Sequence, residues 1–250
     1  MLESIILILA AFLTATLSAI IGMGGGVTLL GIMAIIMPEG YLVVAYHGII
    51  QLVSNVTRTT VYRDVVDRPI LSRFFMGIVP GLFLAAAIVY GLIQYYDVAS
   101  AGEIKIDFLK PLIGIYILWF LYLRKKGKPI SKKAFTWIGG LSGLVTVFIG
   151  AAGPLIAPFF VNKDLKKESV IATKAACQAI GHLGKMPIFI FLFNVNYLAD
   201  WSIILPLVLA VYFGTKIGKK LLGRFPEKAF IFLFKTALTL IAVGLILKVH

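Results

Sequence analysis

The chain alternates long uncharged tracts with short polar connections. One tract runs from Ser4 to Pro38, another from Phe74 to Tyr96, a third from Ala134 to Asn162, and Met186 to Ala199 adds a fourth. Crossing a bilayer as a helix takes about 20 mostly apolar residues. The pattern predicts eight hydrophobic segments. The first is Ser4 to Ile36, interrupted at Gly22 and at Gly24 to Gly26. The next three are 42–62, 70–95 and 108–123. The fifth, Ala134 to Val161, is interrupted from Gly150 to Pro154, and 169–193, 197–221 and 229–249 complete the set. A soluble helical protein would carry a polar face on each helix. The uncharged tracts leave no room for one.

Composition points the same way. Hydrophobic residues make up 60% of the chain and charged residues 14%, against roughly 25% charged in an ordinary globular domain. The mean hydropathy is +0.99. The expected fold class is therefore all-α and polytopic, a multi-pass protein of the cell membrane in contact with lipid. The net charge of +13 would suggest nucleic acid in a soluble protein. Here the basic residues sit in short loops between apolar tracts, so they signal topology and no nucleic-acid partner is expected. Cys177 is the only cysteine, which excludes an internal disulfide and a cysteine metal cluster. The N-terminus lacks a basic region and a cleavage motif, so no removable signal peptide is expected.

The loop charges orient the segments. Arg63, Arg68 and Arg73 follow the second segment. Arg124, Lys125, Lys126, Lys128, Lys132 and Lys133 follow the fourth, and Lys216, Lys219, Lys220, Arg224 and Lys228 follow the seventh. Lys/Arg bias places these three connections in the cytoplasm. The base-poor stretches around 97–107 and 194–200 then lie outside. Lys163, Lys166 and Lys167 break a simple zigzag unless the fifth segment enters, turns at its glycines and returns. The first segment would form the same kind of hairpin. Such turns survive at membrane depth only where protein or a cavity covers them. The alternative is an ordinary glycine-kinked span at each place.

The two halves resemble each other. At one constant offset Gln51 meets Gln178, Arg58 meets Lys185, His47 meets Lys174, Asn55 meets His182 and Gly26 meets Gly153. The expected organisation is a first transmembrane repeat over 1–123, a basic cytoplasmic loop at 124–133 and a second repeat over 134–250. Each repeat has four segments and opens with a glycine-broken or re-entrant helix. The loop charges make the repeats inverted, a plan that recurs in secondary transporters with substrate near the midplane.

Candidate chemistry lies at the breaks and on the helices after them. Gly24, Gly25 and Gly26 follow no strand and precede no Lys-Ser/Thr, so a nucleotide loop is a poor reading. In an apolar tract they either permit close packing or expose backbone N–H groups that favour an anion. Gly150 and Gly153, with Pro154 at the start of a new helix, repeat the arrangement. Arg58 and Lys185 are basic residues in apolar segments, which usually face a cavity or a partner. Gln51 and Gln178 need hydrogen-bond partners that a bound oxyanion would supply. His47 and His182 are the candidates for proton coupling. Lys174 is placed near the cytoplasmic edge, where its side chain snorkels. With so few acids in the spans, an anionic substrate is favoured over a cation. No zinc-protease, Gly-x-Ser-x-Gly or ATP-binding motif is present, so neither catalysis nor a cofactor is expected.

Three stretches carry a family resemblance. They are Ser18-Ala-Ile-Ile-Gly22-Met-Gly24-Gly-Gly26; Gly139-Gly-Leu-Ser142-Gly143 with Gly150-Ala-Ala-Gly153-Pro154-Leu155; and Gly214-Thr-Lys-Ile-Gly218 before a basic loop. The chain resembles the TauE/SafE family of sulfite-exporter-like membrane transporters over essentially its whole length. It departs from the family pattern at Val27-Thr28, where a proline usually follows the first glycine run. The resemblance implies a secondary transporter that moves sulfite, an organosulfonate or a related sulfur-containing anion across the cytoplasmic membrane. An anion channel or a non-transporting scaffold is the alternative.

Overall fold

The computed structural model describes residues 2–21, 24–104, 109–123, 131–160, 167–221 and 227–247. Gly22, the basic stretch 124–130, Lys163, Lys166 and Arg224, all of which bear on the topology, lie outside the described residues. Regular structure among the described residues is helical throughout. The first predicted segment is two helices, α1 (Leu2–Ile21) and α2 (Gly25–Ile36). The next three are α3 (Gly40–Val61), α4 (Arg68–Tyr96) and α5 (Leu109–Leu118). A π-helical turn, Trp119–Leu123, continues α5. The fifth segment divides into α6 (Phe135–Phe148) and a short α7 (Gly153–Ile156). Then come α8 (Lys167–Leu192), α9 (Trp201–Lys220) and α10 (Glu227–Leu247). Among the described residues four helices are long and apolar enough to cross a membrane, those of α1, α4, α8 and α9.

The surface and the interior exchange the roles they have in a soluble protein. Trp137, Leu198 and Phe191 are each more than 80% exposed, whereas Lys185, Asn55 and Ser142 are completely buried. Apolar side chains facing outward match lipid tails, and the polar groups turn in toward one another. The chain is thus a polytopic, all-α membrane protein.

Close packing is made by small residues. In α4 a methyl group on Gly77 would overlap the carbonyl oxygen of Thr136 in α6, and one on Gly81 would overlap that of Gly140. In α9, Gly214 and Gly218 rest in the same way on the carbonyls of Phe12 and Thr16 in α1. Backbones can approach this closely only where no side chain intervenes. Both pairs ascend in register, so α1 runs parallel to α9 and α6 parallel to α4. Between them α3 and α8 pack against each other, and α5 packs against α10.

The connections gather at two ends. At one end the Asp67 N–H donates to Thr173 Oγ1 of α8 at 2.9 Å, Lys132 Nζ donates to Asp67 Oδ2 at 2.7 Å, and Lys219 Nζ lies 5.0 Å from the ring centroid of Tyr62. Asp67 Oδ1 also accepts from Ile70 N at 3.0 Å and so caps α4. At the other end Tyr41 stacks on Phe193 with centroids 6.0 Å apart, and Gly102 sits under the Phe193 carbonyl. The start of α6 and the start of α8 therefore share an end. With 12 residues in α2 and 14 in α6, these helices reach only about 18 and 21 Å. Neither alone covers a hydrocarbon core of roughly 30 Å.

Candidate functional site

Two polar stripes face each other across the middle of the bundle. His47, Gln51, Asn55 and Arg58 follow a spacing of four, four and three along α3, and Lys174, Gln178, His182 and Lys185 repeat it along α8. That spacing keeps each set on one helix face. All eight are buried except Gln178, which is half-buried.

The two breaks close the space between the stripes. Gly24 precedes α2 with φ +96°, and Gly150 follows α6 with φ +94°. Glycine adopts this left-handed region without a Cβ penalty. Each break also presents a glycine to a glutamine. A methyl on Gly26 would stand 3.0 Å from Gln51 Oε1, and one on Gly153 would overlap the Gln178 amide. His47 joins the breaks: Nε2 lies 2.8 Å from the Gly26 carbonyl oxygen and Nδ1 lies 3.2 Å from that of Gly150. The His182 ring meets the His47 ring edge-on at 5.8 Å. Its Nδ1 is buried with no hydrogen-bond partner among the described residues. Arg58 Nη2 donates to Ser54 Oγ at 3.0 Å, and Ser54 reaches Thr215 Oγ1 at 3.2 Å. Arg58 Nε is buried without a partner among the described residues, as are both amide atoms of Asn55.

These groups surround a cavity of about 450 Å³, open space at its mouth included. Gly24, Gly26 and Gly153 form part of its wall with Gln51 and Gln178, both histidines, Arg58 and Lys174. No carboxylate is among the described lining residues. Three predicted residues stand outside the lining. Gly25 packs against the Thr14 carbonyl of α1, and Gly150 contributes its carbonyl oxygen to His47. Lys185 points its ammonium at three carbonyl oxygens behind the cavity wall.

Lys174 is the residue that sequence reasoning misplaces. It lines the cavity at 5% exposure instead of snorkelling to an edge. The connection from α3 to α4 docks on α8 one residue earlier, at Thr173. The pairing of Lys174 with His47 at the constant offset is the signal that could have placed it. A guanidinium, two amides and the first turn of α2 are groups of the kind that can hold a small oxyanion by charge and hydrogen bonds.

One substitution separates this site from the scaffold. Gly153→Ala pushes only on the flexible end of Gln178, so the protein should fold normally. The displaced amide should raise the half-saturating anion concentration about tenfold, as expected for one lost hydrogen bond of roughly 1.4 kcal/mol. Uptake kinetics beside a melting curve would check this; unchanged kinetics would remove Gln178 from the site.

These features describe a polytopic helical membrane protein with a buried polar cavity between two glycine breaks. The profile of the family described as "Sulfite exporter TauE/SafE" matches residues 7–245, and the chain belongs to that family. No curated protein and no solved structure matches the chain.

Proposed function

We propose that the protein is a secondary transporter of a small anion in the cell membrane, with sulfite or an organosulfonate as the substrate. The cavity carries the reading: Arg58 lines it with an Nε that meets no partner among the described residues, and none of the described lining residues is an acid. An anion would balance that charge. Gln51 and Gln178 orient its oxygens from opposite sides, and Gly24 to Gly26 and Gly153 bring backbone close to it. Lys185 acts on the anion through the Gly150 carbonyl rather than by touching it. His47 and His182 are the groups through which a proton would couple to transport.

The packing supports the division into repeats over 1–123 and 134–250. Each glutamine rests on the glycine of the break that precedes it in its own half. The pairs α1–α9 and α6–α4 correspond when the halves are exchanged, while α3–α8 and α5–α10 correspond to themselves. That is the relation inverted repeats require. In this reading the basic end of the bundle faces the cytoplasm, both broken segments re-enter, and the repeats rock to expose the cavity alternately.

Reconstitution into liposomes tests the proposal. Sulfite, sulfoacetate and simple carboxylates should compete for one saturable uptake with a preference among them. Currents at channel rates would replace the carrier by a pore. A protein that neither moves nor binds any of these anions would be a scaffold.

A further inference from the structure

Lys185 has surroundings that anion contact does not explain. Its side chain is completely buried, yet it lines no part of the cavity. Nζ donates to Val44 O at 2.8 Å, Thr146 O at 3.3 Å and Gly150 O at 3.3 Å. An ammonium has three N–H donors, and three carbonyls use them all. The Phe189 ring centroid lies 5.8 Å from Nζ, within the range where an aromatic face attracts a cation. No carboxylate pairs with Lys185 among the described residues. The oxygens come from three places: α3, the last turn of α6 and the break beyond it. Gly48 makes the room, since a methyl there would overlap Lys185 Cε.

Converging carbonyls that stand in for a hydration shell are the usual ligands of a small monovalent cation. We propose that Lys185 is a built-in cation: its ammonium fills a carbonyl cage that would otherwise take a free ammonium or alkali ion. The cage needs a cation for an electrostatic reason. The end of α6 leaves carbonyl oxygens without helical partners, and they form the negative pole of that helix. Gly150 O, the outermost, also contacts His47 in the cavity wall. Uncompensated, these oxygens would repel an anion in the cavity. The tethered ammonium neutralises them, so no co-bound metal ion is needed at this position.

Removing the tether tests the cage. The inference rests on the anion reading for its transport arm only. Purified Lys185→Ala protein would be melted in ammonium, sodium, potassium and choline chloride at equal ionic strength. Ammonium or an alkali ion should raise its melting temperature by several degrees over choline, saturably, with no such selectivity in the unmodified protein. The same ion should restore anion uptake several-fold. Lys185→Met, whose side chain still occupies the passage beside Gly48, should show neither response. If Lys185→Ala does not accumulate, Lys185→Ser is the second variant, and it should accumulate only when purified with ammonium or an alkali ion. Failure of both variants under every salt overturns the proposal. So does melting of Lys185→Ala that is indifferent to the cation, or equal rescue of Lys185→Met. The melting arm involves no anion. Absent flux in the unmodified protein therefore counts against the anion reading, and cation-indifferent melting counts against the cage.

Discussion

Arg58→Ala should reduce anion uptake about 100-fold and leave the protein at least as stable as before. The two effects have one cause. Arg58 is a buried guanidinium that, among the described residues, has a single hydrogen bond, to Ser54, and an Nε that meets nothing. A buried charge with unsatisfied donors costs stability. Truncating it removes that cost, and Ser54 keeps its bond to Thr215. With an anion in the cavity the free donors acquire a partner. Charge-assisted bonds contribute about 1.5–3 kcal/mol each, so losing the bonds to a bound oxyanion lowers binding by about two orders of magnitude. Arg58→Lys keeps the charge but loses the planar fork, and should fall between. Uptake by proteoliposomes and melting of the same preparations give both readouts. An Arg58→Ala protein that transports normally, or that loses transport only because it unfolds, would sink the assignment.

Much of this site is legible in the amino-acid sequence, for a reason specific to membranes. In an apolar segment each polar residue needs an explanation, so Gln51, Arg58, Gln178, His182 and Lys185 stand out individually. Their constant offset pairs them across the halves, and the structure adds a contact that the offset does not name, Gln51 against Gly26 and Gln178 against Gly153. What is not legible depends on contacts between distant parts of the chain. Lys174 stands close enough to the start of its helix to read as a snorkelling residue, yet it is buried at the cavity wall. Lys185 reads as a substrate ligand because a charge pattern contains no carbonyl oxygens. The three that hold it come from Val44, Thr146 and Gly150, separated by up to 141 residues from it. The helices themselves follow from hydrophobic run length, but nothing in a run names its partner.

Partner choice leads to the second large effect. Gly77→Val should prevent accumulation of folded protein. The Gly77 Cα faces the Thr136 carbonyl so closely that even one methyl would overlap it, and Gly139 and Gly143 of α6 return the contact against Phe74, Ile78 and Gly81. The obstacle is backbone and not a side chain that can turn aside. Overpacking ordinarily costs about 1–3 kcal/mol. Here α4 and α6 must also separate along the seam, losing the dispersion contacts that hold helices together in lipid. Gly91→Ala on the same helix meets nothing within 4 Å and should be neutral or stabilising by up to about 1 kcal/mol. Membrane yield and detergent melting of the two variants make the comparison. Normal yield of Gly77→Val would show that the seam is not required.

The other glycine seam bears on how the chain is made. Helix α1 leaves the ribosome ahead of the other nine, and the surface it fits, Gly214 and Gly218, follows only with α9. Helices α4 and α6 meet early, whereas α1 waits in the bilayer while seven helices are added. During that wait Phe12 and Thr16 have only lipid or an insertion factor beside them. Assembly is therefore nucleated in the interior of the polypeptide and sealed by helices far apart along it, and a nascent chain arrested before residue 201 leaves the α9-facing side of α1 uncovered as a target for quality control.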